Sequence, residues 1–416
     1  MTRSFPSRER ISFASWRVLA LLGFAIFINF VDRGNLSIAA PLLKDELHLS
    51  ASQLGILLSS FFWTYALCAI PAGALVDRFD PAWTLALGFL LWSCATSATG
   101  LVHSFAVLFS LRLILGMAEA VAFPAYATIL ARHFREDQRG LANSVGSVAQ
   151  ATGPAAATFA GGLLIARLGW RPFFVLLGLT SLLWLIPWLR WMPRSESRVS
   201  AAPKIAYEGI VKVLRQPSVW GMCGGLFCGN YVLYLLLTWL PFYLVHERHF
   251  SLTATAKIGG AAFLCKAVAA LASGWLSDIW IAAGATPTLA RKTLLCFGTG
   301  FSGVLLLMAS VSADRPCVIL LLAGSACMGL CTPQAHAVNQ SLAGPQLAGT
   351  WISLVLFVAN FSGIIGPTVT GFVVDRTGHF FWAFALTAGI ACVGAISYGF
   401  FVGPVKPIEW TRPVST

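Results

Sequence analysis

The chain has 416 residues, of which 57% are hydrophobic and 11% charged, with a net charge of +12. An ordinary soluble domain carries roughly 25% charged residues, so this composition excludes a soluble enzyme and predicts a surface that faces lipid. The basic excess does not mark a nucleic-acid partner, because most of it falls on loops of one side of the predicted membrane.

Taken in chain order, twelve apolar stretches stand near residues 17–43, 51–76, 82–102, 105–131, 140–166, 171–192, 218–245, 254–281, 292–312, 316–341, 348–374 and 380–403. Each offers the roughly 20 residues that a helix rising about 1.5 Å per residue needs to cross about 30 Å of hydrocarbon. They lack the alternation of barrel strands, so the expected fold class is an all-α membrane protein with twelve transmembrane helices. With the N-terminus inside, eighteen Lys and Arg fall on cytoplasmic segments and seven on the other face. That bias predicts a bacterial-type inner membrane protein with both termini in the cytoplasm. The basic-then-apolar start is similar to a signal peptide, but the apolar run is too long and carries Asp32 and Arg33, so it reads as an uncleaved first helix. The ten cysteines fall inside predicted helices as small apolar packers, with no disulfide framework or metal-ligand spacing.

Four ionisable residues interrupt these runs early. Asp32 and Arg33 lie within Leu19 to Leu43, and Arg112 and Glu119 within Val107 to Leu130. A charge near a bilayer centre costs about 2.5–3.5 kcal/mol even on insertion scales, so four together imply an internal polar pathway and a transporter. Arg112 and Glu119, seven apart, share a helix face about 10 Å apart. That is too far for direct contact, so each needs another partner, and Asp32 and Arg33 supply both signs. Two readings stay open: a structural network joining the first and fourth helices, or carboxyls that load and release protons beside arginines suited to bidentate capture of a carboxylate.

The longest polar interruption, Pro193 to Pro217, divides the chain into helical halves 1–192 and 218–416 joined by a cytoplasmic loop, 193–217. A weak repeat supports the division. Gly73-Ala-Leu-Val-Asp77 ends the second helix and Gly274-Trp-Leu-Ser-Asp278 ends the eighth, while Gly153-Pro154 and Gly366-Pro367 lie in the fifth and eleventh. Paired six-helix bundles with a midplane site between them are a secondary-transporter architecture.

Gly73-Ala-Leu-Val-Asp77-Arg78-Phe-Asp80-Pro81 resembles the loop motif of the major facilitator superfamily, and the resemblance covers essentially the whole chain. It implies a gating role for Gly73, Asp77, Arg78 and Asp278, although Asp80 replaces a glycine of the pattern and Ala82 its basic residue. Asn29-Phe-Val-Asp32-Arg33-Gly34-Asn35-Leu-Ser37 and Arg112-Leu-Ile-Leu-Gly116-Met-Ala-Glu119, with Asn230-Tyr231 and Thr238-Trp239-Leu240-Pro241, resemble the anion:cation symporter family of sugar-acid and sialin-like carriers. The resemblance implies proton coupling at Asp32 and Glu119, a substrate carboxylate at Arg33, and Arg112 as an internal charge partner. It also makes Tyr65, Gln150 and Asn360 candidates for binding a hydroxylated ligand; amides suit hydroxyls, though each could instead bond a neighbouring helix. Asn230, Tyr231 and Tyr234 are further candidates that could equally be packing. His336 lies in a polar stretch with Gln334, Asn339 and Gln340 where the family often has an aromatic residue. Lys266, in mid-eighth helix, has no counterpart in the resemblance; it either snorkels or faces the cavity.

The expected function is proton-coupled import of a small organic carboxylate by a monomer in contact with lipid, with the proton as coupling ion and no other cofactor or metal. An exporter of the same fold is disfavoured because Ala155, Ala156, Ala157 and Thr158 stand where glycines are expected, and an uncoupled uniporter by the two acids. An enzyme is remote, since no hydrolase motif is present.

Overall fold

The computed structural model describes residues 13–134, 139–191, 207–408 and 410, without the side chains at 70, 77, 131, 139–144, 207–210 and 344–350. Every regular element among them is helical. Twelve spans are long and apolar enough to cross a membrane: α1 (Phe13–Glu46), α2 (Ala51–Arg78), α3 (Pro81–Thr99), α4 (Phe105–Leu130), α5 (Val145–Leu168), α6 (Trp170–Trp191), α7 (Pro217–Glu247), α8 (Leu252–Ala282), α9 (Pro287–Val311), α10 (Asp314–Ala343), α11 (Trp351–Thr377) and α12 (Phe381–Phe401). The protein is therefore a multi-pass membrane protein. Of the expected loop at 193–217, residues 193–206 lie outside the described residues, and a short helix, Tyr207–Leu214, leads into α7.

Local sequence sets where these helices start and bend. Ser50 and Gln53 form a capping box at the start of α2. Asp80 caps α3, its Oδ1 accepting from the backbone N–H groups of Ala82 (2.8 Å) and Trp83 (3.1 Å), with Pro81 in the first turn. The departure from the loop motif at Asp80 thus acquires a structural role. Helical pairing in α4 lapses at Ala120 and Val121, directly after Glu119. Pro124 has no N–H to offer the Ala120 carbonyl, which accounts for the break there. A π-bulge at Ala157–Gly161 follows Pro154 in α5.

The two sets of six helices meet tightly at one end. A Cβ on Gly55 of α2 would stand 2.5 Å from the Pro367 carbonyl oxygen of α11, and one on Gly162 of α5 the same distance from Ala256 Cβ of α8. Only glycine permits these approaches. Thr368 Oγ1 donates to Ser59 Oγ across the two sets at 2.9 Å, and within the second set Trp239 Nε1 donates to the Pro367 carbonyl at 3.1 Å, fixing the segment that Gly55 approaches. Asp375 at the end of α11 accepts from the N–H groups of Ala51 (2.8 Å) and Ser52 (2.6 Å), first-turn donors that have no acceptor within α2. At the opposite end, a Cβ on Gly73 of α2 or Gly274 of α8 would meet nothing within 4 Å. The first end is sealed by these contacts, and the glycines Gly73 and Gly274 at the other end make none of this kind among the described residues.

Candidate functional site

Asp32, Arg33, Arg112 and Glu119 converge between α1 and α4. Glu119 is 0%, Asp32 3% and Arg112 4% exposed, and the Arg33 side chain 9%. Glu119 Oε2 accepts from Asn29 Nδ2 at 2.9 Å and from Arg33 Nε at 3.4 Å, while Glu119 Oε1 and Arg33 Nη2 have no hydrogen-bond partner among the described residues. Asp32 Oδ1 accepts from Thr96 Oγ1 of α3 (3.2 Å) and Asn35 Nδ2 (3.4 Å), and Asp32 Oδ2 is unpartnered. The break after Glu119 leaves this carboxyl at the end of a helical segment, facing α1.

Aromatic rings form the walls. The Arg33 guanidinium carbon lies 4.6 Å from the ring centre of Phe30, 5.4 Å from Phe61 and 4.4 Å from Tyr65. Contacts of this kind are worth about 0.5–2 kcal/mol each and hold the cation without neutralising it. Tyr234 of α7 completes the surround, packing its ring 4.6 Å from Phe62. Arg112 sits over Phe61 at 5.2 Å and forms no hydrogen bond among the described residues; its Nε is unpartnered. The direct ion pair across the two helices is Arg33 with Glu119. Buried polar atoms left without partners are expensive, and several at one locus mark a place that a ligand or proton can complete.

The other candidates scatter. Gln150 lies on the α5 face that packs on α1, one turn from Gly153, where a Cβ would press on Phe30. Asn360 precedes Gly363, which abuts Phe62, and is partly exposed. Asn230 is partly exposed. Tyr231 is 1% exposed, lies against Gly366 and has an unpartnered hydroxyl. Gln334 Nε2 donates to the Ser273 carbonyl at 3.0 Å, and Asn339 Oδ1 accepts from Trp351 Nε1 at 2.8 Å, so both tie helices together. His336 and Gln340 are exposed on the face of α10 away from Cys327 and Cys331, the residues that meet Gly298 of α9. Arg78 and Asp278 are exposed and form no ion pair among the described residues; the Asp77 side chain lies outside them.

Asn29, Asn35 and Thr96 are the polar neighbours that sequence reasoning did not single out as site residues. Asn29 stands one turn before Arg33, a spacing that could have flagged it. Thr96 offers no such signal, because hydroxyls in apolar helices commonly bond their own backbone, as Thr99 does to Ala95 at 2.9 Å.

Comparison with known proteins places the chain. The family model for the Major Facilitator Superfamily matches residues 22–289 and 258–416. The chain is 31% identical to the hexuronate transporter of Bacillus subtilis (strain 168) over 96% of this chain and 98% of that one. It is 28% identical to the probable L-galactonate transporter of Escherichia coli (strain K12), over 94% and 90% respectively. Among solved structures, a bacterial homologue of the human lysosomal transporter Spinster, inward-facing and occupied, superposes with a TM-score of 0.78 at 20% identity, covering 92% of this chain and 95% of that one; this likeness concerns the fold. The chain is a transporter rather than an enzyme, and it belongs to the Major Facilitator Superfamily, among relatives that carry sugar acids and other organic anions.

Proposed function

We propose that the protein imports a small organic carboxylate, a sugar acid or close relative, together with protons, by alternating access in a bacterial inner membrane. The observation that carries this reading is the buried Arg33–Glu119 pair, with unpartnered atoms on both sides. Arg33 is the anchor for the substrate carboxylate, and Glu119 competes for the same guanidinium. A proton on Glu119 removes that competition and frees the planar fork for bidentate capture. Asp32 takes the second proton, and Arg112 supplies positive potential to both acids without bonding either. Tyr65, Gln150, Asn360 and Asn230 serve the ligand's hydroxyls, with Tyr231 and His336 further out; Gly73, Asp77, Arg78 and Asp278 close the other end in the opposite state.

With both termini in the cytoplasm, the sealed end faces outward and the structure is the inward-facing state. The halves 1–192 and 218–416 rock about the site, joined by the 193–217 loop, in a monomer that needs no cofactor beyond the proton. Support for the substrate class comes from the hexuronate and galactonate relatives. The test is uptake of a hexuronate into proteoliposomes under an imposed inward proton gradient. Accumulation that collapses with a protonophore is expected; uptake indifferent to the gradient would refute the coupling.

A further inference from the structure

Asn29 is fully buried on α1, one helical turn before Arg33, and it makes the shorter of the two hydrogen bonds to Glu119, 2.9 Å against 3.4 Å from Arg33 Nε. Both donors take the same carboxyl oxygen, Oε2. The other oxygens of the two side chains, Glu119 Oε1 and Asn29 Oδ1, are buried and have no hydrogen-bond partner among the described residues. Both are acceptors, so neither can serve the other while Glu119 is ionised.

An amide and a protonated carboxyl each present one acceptor beside one donor, and two such groups can close a ring of two hydrogen bonds. At Asn29 and Glu119 one of those bonds already exists, and the atoms left over are the two that the second would join. One proton added at Glu119 Oε1 supplies the missing donor. The new O–H donates to Asn29 Oδ1, Asn29 Nδ2 goes on donating to Oε2, and the carboxyl charge falls from −1 to zero. Two buried acceptors that are expensive to leave unpaired are satisfied in one step. The neutral acid then holds both oxygens on Asn29 and no longer needs Arg33, whose Nη2 is itself unpartnered and whose fork is left for an anion. Asp32 is arranged differently. Asn35 Nδ2 donates to Asp32 Oδ1 at 3.4 Å, but Asn35 Oδ1 faces α5, 3.6 Å from where a Cβ on Gly161 would stand.

We propose that Asn29 is the positioning residue of the coupling acid, receiving protonated Glu119 in a ring of two hydrogen bonds and so drawing it off Arg33. This rests on the reading of Glu119 as a proton carrier and adds the group that holds its neutral form. The test is infrared difference spectroscopy of the purified full-length protein in lipid, stepped between alkaline and acid buffer without substrate. The carbonyl stretch of protonated Glu119 is the band that Glu119→Gln abolishes, and hydrogen bonds to a carboxyl lower its wavenumber. In wild type the band should stand below that of an unbonded carboxylic acid. Asn29→Leu, which keeps the side-chain volume and offers neither bond, should move it to higher wavenumber. A wild-type band at the unbonded position overturns the ring, as does a band unmoved by Asn29→Leu in protein that keeps its thermal unfolding profile; either leaves Glu119 standing as the proton carrier. The absence of any band that Glu119→Gln removes, at every pH where the protein stays folded, overturns the proton-carrier reading and the ring with it.

Discussion

Replacing Glu119 with Gln tests the coupling most directly. The substitution keeps the side-chain volume, and the new amide oxygen can still accept from Asn29, whose Nδ2 lies 2.9 Å from Glu119 Oε2. What is lost is the charge facing Arg33 and the ability to take up a proton. If Asp32 and Glu119 each carry one proton beside a monocarboxylate, the loaded wild type moves one net positive charge. A membrane potential then contributes about 2.3 kcal/mol per 100 mV, roughly a fiftyfold accumulation ratio. With Glu119→Gln a single proton balances the single carboxylate, transport is electroneutral, and the potential contributes nothing. The assay is steady-state accumulation of a labelled hexuronate in proteoliposomes under a potassium diffusion potential of about 100 mV at equal pH, with counterflow as the control. Wild type should accumulate and Glu119→Gln should only equilibrate while retaining counterflow. Full potential-driven accumulation by the variant would remove Glu119 from the mechanism.

Three further outcomes are expected. Arg33→Lys keeps a cation but loses the planar fork, so hexuronate affinity should fall about tenfold or more in equilibrium binding, and unchanged affinity would contradict the anchor. Gly55→Val places a side chain against the Pro367 carbonyl, 2.5 Å from the first carbon added. The sealed end should then be held open, read as increased labelling of cysteines introduced near it; unchanged labelling would show that the helices accommodate the change. Asp375→Asn weakens two bonds to the start of α2, at 2.8 and 2.6 Å. Because Asp375 is exposed, the effect should be about 1 kcal/mol, roughly a fivefold shift towards the outward-open state by the same labelling.

The sequence by itself determined the membrane class, the number of spans and the depth of the ionisable residues. Those follow from a one-dimensional property, the length and polarity of each apolar run, which a bilayer reads directly. It also located the motif around Asp32 and Arg33, because charges inside apolar helices stand out without knowledge of their neighbours. Which charge meets which was decided only by tertiary structure. Arg112 and Glu119 share a helix, yet Glu119 bonds Arg33 and Asn29 of α1, because the break before Pro124 and the packing of α1 on α4 bring those groups within reach. The amides show the same dependence. Gln334 and Asn339 are spent on Ser273 and Trp351, whereas Gln150 and Asn360 form no such tie among the described residues, and residue type cannot separate the two cases. Lys266 could have faced lipid or the interior as far as composition goes. The exposed stripe of Leu264, Val268, Leu271 and Trp275 on α8 turns it inward, since the orientation of a helix is set by the neighbours it packs against.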